Sequence, residues 1–447
     1  MTLKTTLKHY QKECVEKLSK IKIGALYMEM GTGKTRTALE LINQRIIDGK
    51  IDFVLWLCPC SVKNNLKLDI IKHVGEFLDI FRIEGIESLS SSIKLNCELL
   101  ELAQNKKCYL IVDESNLIKN HKAKRSQNIE RLASYCKYKL ILNGTPIARN
   151  EADLFWQWYI LDWRILGYKS FWSFEANHLE YDDYGKIKRV LEIDYIARKI
   201  KPYSYQVKKT EVLNLPNKNY HTAFFGMTKE QDVHYDKIAD EYLFHLNETK
   251  PETIYRLFTA LQHVLSGRRL INKYEHSIET IPMFIDASEN PRIKRLLDIV
   301  KDEKTIIFCK YTHEIKDISR LLGAVEFHGG LNIKKRNEAI DIFRNEKMYM
   351  VANKNCGAYG LNLQFCNNII YYSNDWDFAT RQQSEDRLHR IGQEREVSIT
   401  DLACLGTLDQ RILKCLGRKE RLSDSFKNSL NKLTKEDRRD WVNGKDI

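Results

Sequence analysis

Two short stretches of this 447-residue sequence hold residue types that could do phosphoryl chemistry. In the first, the β-rich run Gly24–Met28 leads into Glu29-Met30-Gly31-Thr32-Gly33-Lys34-Thr35, with a helical pattern from about Arg36. A triphosphate needs backbone N–H groups brought close without Cβ clashes, a cation, and a helix N-terminus aimed at it. Gly31, Thr32 and Gly33 would form the loop, Lys34 would meet the β- and γ-phosphates, and the Thr35 hydroxyl would ligate Mg²⁺. The full GxxxxGK[ST] pattern has Gly where this chain has Met28, so the core GTGKT carries the reading. In the second stretch, the apolar run Cys108–Val112 ends in Asp113-Glu114. Asp113 can hold the Mg²⁺ shell, and Glu114 can orient or activate the attacking water. An Asp-Glu pair alone fits a solvated turn as well; its place downstream of a phosphate loop points to catalysis.

Charge developing on the transferred phosphoryl group calls for a further cation, placed only when the site is assembled. Arg387 and Arg390 lie three apart, so on a helix they would project from one face. An ordinary surface or phosphate-binding face is the alternative for them. The elements that must position these groups alternate between short β-rich runs and helical stretches, the pattern of a parallel sheet with crossover helices. Strands are expected at Gly24–Met28, Phe53–Leu57, Cys108–Val112 and Lys139–Leu142, then at Thr305–Cys309, Met348–Ala352, Asn368–Tyr372 and Val397–Leu402. Between the two sets, from Tyr205 to Ile281, the β signal fades, and Glu230–Leu246 and Ile254–Leu270 read as amphipathic helices. The expected organisation is an α/β domain over 1–204, a helical insertion over 205–282, and a second α/β domain over 283–447 that ends in a solvated helical tail. In open parallel sheets ligands gather at the carboxyl ends of the strands, where the polar and Gly-rich clusters of this sequence fall.

With these motifs in hand, the chain resembles the superfamily-two helicases, and within them the Swi/Snf-related translocases. Leu7-Lys8-His9-Tyr10-Gln11 stands where that family has its adenine-reading element, and Gly31–Thr35 is similar to its motif I. Cys58-Pro59-Cys60-Ser61-Val62 resembles motif Ia, Asp113–Asn120 the DEAH-xIKN stretch, and Leu142–Asn150 the motif LTGTPIxNN. Further on, Phe308-Cys309-Lys310-Tyr311 resembles motif IV, His328-Gly329-Gly330 with Arg336 the element after it, and Gly357–Leu363 motif V. The longest match is Gln383–Gln393, close to QxxxRxHRxGQ.

The resemblance implies two RecA-like parallel-sheet lobes in tandem, with ATP and Mg²⁺ as cofactors. It implies nucleotide contacts from Gln11 and Gln383 and arginine fingers at Arg387 and Arg390, supplied by the second lobe to a phosphate cradle on the first. Backbone phosphates of DNA would meet Ser61, Lys63, Thr145, His328, Arg336 and Asn355, without reading sequence. The departures are Ser115 for the usual Ala, Asn116 for the usual His, and Asn143 for the usual Thr. None removes a group that the phosphoryl step requires, but traffic between motifs II and III could differ.

Composition agrees with this and excludes other classes. The formal charge of +12 favours a polyanionic partner such as nucleic acid. Eleven cysteines without a CxxC make structural zinc an unfavoured reading, and no apolar run approaches the ~20 residues that span a bilayer. With no secretory pattern at the start, an intracellular protein with reduced thiols and no membrane partner is expected. The aromatics of Phe155–Tyr159 and Tyr168–Trp172 fit helical core packing better than base stacking. The resemblance therefore points to a compact phage- or bacterial-type DNA helicase or translocase, acting as a monomer on forked or branched DNA. Duplex translocation that strips bound proteins is the alternative within enzymes, and an ATP-switched DNA-binding scaffold the alternative outside them.

Overall fold

The computed structural model describes residues 1–144, 151–181, 187–246, 251–272, 278–354, 363–418 and 434–445. The chain divides into two compact units, Met1–Asn214 and Leu215–Ile447. Strands of the first are β1 (Ile23–Met28), β2 (Phe53–Cys58), β3 (Phe81–Gly85), β4 (Cys108–Asp113), β5 (Tyr138–Asn143), β6 (Leu179–Tyr181), β7 (Ile187–Val190) and β8 (Ser204–Val207). Strands of the second are β9 (Lys218–Phe225), β10 (Arg268–Asn272), β11 (Glu279–Pro282), β12 (Thr305–Cys309), β13 (Val325–Phe327), β14 (Tyr349–Asn353), β15 (Asn368–Tyr371) and β16 (Val397–Cys404).

In the first unit six strands form one sheet in the order β3-β2-β4-β5-β1-β8, every neighbouring pair parallel. A strand with helices on both sheet faces is apolar throughout, and β2, Phe-Val-Leu-Trp-Leu-Cys, is buried at every position. Its period of two divides it between two cores: Phe53, Leu55 and Leu57 face one, Val54, Trp56 and Cys58 the other. The second unit repeats the design with the order β13-β14-β12-β15-β16-β9, again all parallel. Ile307 and Cys309 of β12 join one core, and Ile306 and Phe308 the other. Two RecA-like α/β lobes in tandem are thus the architecture.

All eight expected strands are present, and the four missed members of the two sheets, β3, β8, β9 and β13, are their four edges. Edge strands are half-solvated and lack the apolar run of a central strand. β9 shows this most clearly, with only Ala223 and Phe225 buried among its eight residues. The stretch 205–282 holds the helices Lys229–Phe244 and Pro251–Leu265, which pack through Tyr235, Ile238, Leu257 and Phe258 into one core of the second unit. Near the chain end, helix Lys435–Val442 is less solvated than its composition suggests. Trp441 and Val442 are buried in that same core, and Arg439 pairs with Asp236 at 2.5 Å. Among the described residues no helix is long and apolar enough to cross a membrane.

Candidate active site

At the carboxyl end of β1 the chain turns through Gly31 and Gly33, with φ of 81° and 87°. Both lie in the left-handed region that a Cβ disfavours. Gly33 is also crowded, since a Cβ there would lie 2.3 Å from the Gln11 side-chain nitrogen. It caps helix Lys34–Ile47, so Lys34 and Thr35 occupy the first turn, where backbone N–H groups have no partner inside the helix. The loop is braced from beneath. Gln11 Nε2 and the Tyr10 hydroxyl each donate to the Thr32 carbonyl at 3.0 Å, and the Lys8 N–H donates to Gln11 Oε1 at 2.9 Å. Thr32 is fully buried and its hydroxyl donates to the Glu29 carbonyl at 2.7 Å. Thr32 and Gln11 therefore spend their side chains on loop shape, and Thr32 has only backbone left to offer a phosphate.

Lys34 Nζ is buried and has no hydrogen-bond partner. A buried ammonium without a partner is costly, so a site that holds one is built for an anion. Gly144, just beyond β5, borders it; a Cβ there would sit 3.5 Å from Nζ, an ordinary contact. Across from it lies the acidic pair. Burial pushes the Asp113 carboxyl up to about 6, the Glu114 charge adds to this, and Lys34 and the Glu114 N–H oppose it. That N–H donates to Asp113 Oδ1 at 2.9 Å. Glu114 itself sits at φ 51°, a left-handed conformation rare for a residue with a Cβ and a mark of functional sites.

Two of the motif departures meet directly behind this pair. The Ser115 hydroxyl donates to Gln157 Oε1 at 2.6 Å, and Asn143 Nδ2 donates to the same hydroxyl oxygen at 3.4 Å. Gln157 Nε2 in turn donates to the Asp153 carbonyl at 2.8 Å, and Lys119 pairs with the Asp153 carboxylate at 3.0 Å. Asn116 Oδ1 is buried without a partner. Ser115 and Asn143 were marked in the sequence as departures between motifs II and III, but Gln157, Asp153 and Lys119 were not given a part there, nor was Tyr10 given its bracing role.

The described DNA-contact candidates fall on both units. Ser61 lies on the short turn Cys60–Val62, and Lys63 Nζ is held by Glu84 at 2.8 Å, so a phosphate there competes with a carboxylate. His328 sits 3.5 Å from Glu326, and Arg336 donates to the Gly329 carbonyl at 2.7 Å. Thr145 and Asn355 lie outside the described residues. Most of the aromatics after β5 pack in or against the core: Phe155 and Trp158 are buried, Phe155 packs on the buried Phe174 at 4.7 Å, and Trp156, Tyr159, Tyr168 and Phe171 are partly buried, but Trp172 is 78% exposed.

In the second unit, helix Phe378–Glu385 carries Gln383 but stops before Arg387 and Arg390. The two arginines sit on the turns that follow, opened by an i→i−3 bond from Arg387 N–H to the Ser384 carbonyl at 3.3 Å, rather than on one helical face. Gln393, the last residue of that motif, is a strut: its Nε2 donates to the Cys366 carbonyl at 2.9 Å and to the Gln364 carbonyl at 3.1 Å. Arg381, unmarked in the sequence, is buried and grips Asp401 of β16 through two bonds of 2.7 and 2.9 Å. Lys354, also unmarked, is buried over the Tyr371 ring without a hydrogen-bond partner, and burial pushes its ammonium down to about 7.

Residues 83–276 match the SNF2-related domain, and residues 290–392 match the helicase conserved C-terminal domain. Over 91% of its length the chain is 25% identical to the uncharacterized ATP-dependent helicase YqhH of Bacillus subtilis (strain 168), covering 76% of that protein. It is 26% identical over 93% of its length to the uncharacterized ATP-dependent helicase MG018 of Mycoplasma genitalium, covering 42% of it. It is 27% identical over 75% of its length to the putative ATP-dependent helicase/translocase YwqA of Bacillus subtilis, covering 37% of it. The chain thus spans well under half of the second and third relatives. Among solved structures, the Sulfolobus solfataricus SWI2/SNF2 ATPase core in complex with dsDNA aligns over 98% of this chain and 97% of that one, at 22% identity and a TM-score of 0.43. With both matches in order on two parallel-sheet lobes, the chain carries an SNF2-related domain followed by a helicase conserved C-terminal domain, and its similar relatives are ATP-dependent helicases of that kind.

Proposed function

We propose that this protein is a DNA-dependent ATPase that moves along DNA, acting as a helicase or translocase on forked or branched substrates. Junction migration in replication, repair or recombination intermediates is the work such a motor would do. The observation that carries the reading is the buried Lys34 ammonium, unpartnered beside the loop of Gly31 and Gly33 and facing the Asp113–Glu114 pair.

In this reading Lys34 and the free N–H groups of the first helical turn bind the β- and γ-phosphates. Glu114 orients the attacking water and takes up its proton. Arg387 and Arg390 meet the charge of the transition state, and Gln11 and Gln383 border the nucleotide. Asp113 and Thr35 would hold Mg²⁺, which supplies charge neutralisation on the phosphate oxygens. Asp113 suits a cation, because a buried carboxylate beside a second carboxylate is relieved by one.

The DNA half of the reading is supported by the SNF2-related domain and by the formal charge of +12. Ser61, Lys63, Thr145, His328, Arg336 and Asn355 are its backbone-contact candidates, and the protein would work as a monomer inside the cell. Duplex tracking without strand separation is the second reading, favoured by the helicase/translocase name of one relative. ATP hydrolysis with and without DNA, beside unwinding of a fork, a four-way junction and a tailed duplex, tests both. ATP-dependent opening of fork or junction supports the first reading. DNA-stimulated hydrolysis with no opening moves the assignment to duplex tracking, and hydrolysis indifferent to DNA overturns both.

A further inference from the structure

The chain enters its second unit at Leu215, and the residues that follow run directly against the turns carrying Arg387 and Arg390. A His389 ring nitrogen donates to the Pro216 carbonyl at 2.8 Å. Lys218 Nζ donates to Glu385 Oε2 at 2.9 Å and sits 3.6 Å from Asp386. The Tyr220 hydroxyl donates to the same Glu385 oxygen at 2.8 Å. The other Glu385 oxygen accepts from Arg381 Nε at 3.1 Å, and Arg381 is fixed to Asp401 of β16.

This arrangement has a simple origin. Side chains of an extended segment alternate, so 218 and 220 face one way and 219 the other. Lys218 and Tyr220 reach the arginine-bearing motif, whereas Asn219 points away and donates to Glu396 at 2.8 Å. Glu385 is 4% exposed, and a carboxylate that deep is held in one place when all its donors are supplied. The gripped residues bracket Arg387: Glu385 and Asp386 precede it, and His389 follows.

We propose that Pro216–Tyr220 is a clamp that sets Arg387 and Arg390 for ATP hydrolysis, with Lys218 and Tyr220 as positioning residues that do not themselves touch nucleotide. It rests on the role given to those arginines above. A reacting group displaced by ~1 Å can lose about 100-fold in rate, so a loosened clamp acts on turnover rather than on nucleotide binding.

The test compares full-length Lys218→Ala, Lys218→Arg, Tyr220→Phe, Asn219→Ala and Arg387→Ala proteins. Their DNA-stimulated kcat, KM for ATP and thermal melting are measured side by side. Lys218→Ala should lower kcat ~10-fold or more with KM within about twofold, and Tyr220→Phe about threefold. Lys218→Arg should restore most of the rate, and Asn219→Ala should keep all of it. Wild-type kcat in both Lys218→Ala and Tyr220→Phe overturns the clamp, as does an equal loss in Asn219→Ala. If Lys218→Ala does not fold, Tyr220→Phe, which loses one hydroxyl, decides alone. Full activity in Arg387→Ala overturns instead the reading on which the clamp rests.

Discussion

At the carboxyl end of β1, Lys34 Nζ is buried with no hydrogen-bond partner, beside Asp113, whose carboxyl is pushed up by burial and by the Glu114 charge. On helix Phe378–Glu385, Arg381 is buried, yet its guanidinium is fully engaged: Nε on Glu385, Nη1 on Asn374 at 3.0 Å, and both terminal nitrogens on Asp401. Both neighbourhoods bury charge next to motif residues, but the Lys34 ammonium has no hydrogen bond whereas the Arg381 guanidinium is saturated. A saturated buried network rigidifies what surrounds it, whereas an unanswered charge waits for a ligand. The difference separates a candidate binding site from a buried structural network.

The contrast can be broken most severely at the arginines that the scaffold holds. Arg387→Ala should fold and still bind ATP, since the phosphate loop is untouched, while turnover falls ~10³-fold. A rate within a fewfold of wild type, in a protein whose nucleotide binding is measured alongside, would make Arg387 a structural residue. Glu114→Gln sharpens the ligand side of the comparison. The amide is nearly isosteric but cannot accept the proton, so hydrolysis should drop ~10²–10⁴-fold with ATP affinity retained. Equilibrium binding and single-turnover hydrolysis on the same preparation check this, and intact turnover removes Glu114 from the mechanism.

Substitutions in the saturated network should act on stability first. Asp401→Ala leaves the buried Arg381 charge without its bidentate partner, a loss of about 3–5 kcal/mol read by denaturant unfolding. A change below ~1 kcal/mol would mean that water reaches Arg381 and the network is not a scaffold. The smallest expected effect is at Ser115→Ala. It removes one buried hydroxyl between Asn143 and Gln157, costs about 1–3 kcal/mol, and leaves kcat largely in place.

What could be read in the sequence follows the same physics. Central strands such as β2 and β12 are buried on both faces and announce themselves as apolar runs. The edges β3, β8, β9 and β13 carry residues such as Arg82, Gln206, Lys218 and Glu326, and gave no such signal. Gly31, Gly33, Lys34 and the Asp113–Glu114 pair were legible because phosphate chemistry confines them to a few adjacent positions. Ser115 and Gln157 are 42 positions apart, and Lys218 and Glu385 are 167 apart. Only the folded sheets bring such partners together, so their roles were invisible beforehand. The helical face imagined for Arg387 and Arg390 failed for a related reason: a spacing of three holds a shared face only while the helix lasts, and it ends at Glu385.

The central claim is that the unpartnered Lys34 ammonium is the phosphate-binding cation of a DNA-driven ATPase. Its most direct test is the steady-state rate of ATP hydrolysis, with and without DNA, for the wild-type protein and for Lys34→Ala. The account predicts that DNA accelerates the wild type, and that Lys34→Ala is slower by about 30- to 1,000-fold, the loss of ~2–4 kcal/mol of transition-state stabilisation. A folded Lys34→Ala protein with near-normal DNA-stimulated hydrolysis would contradict it.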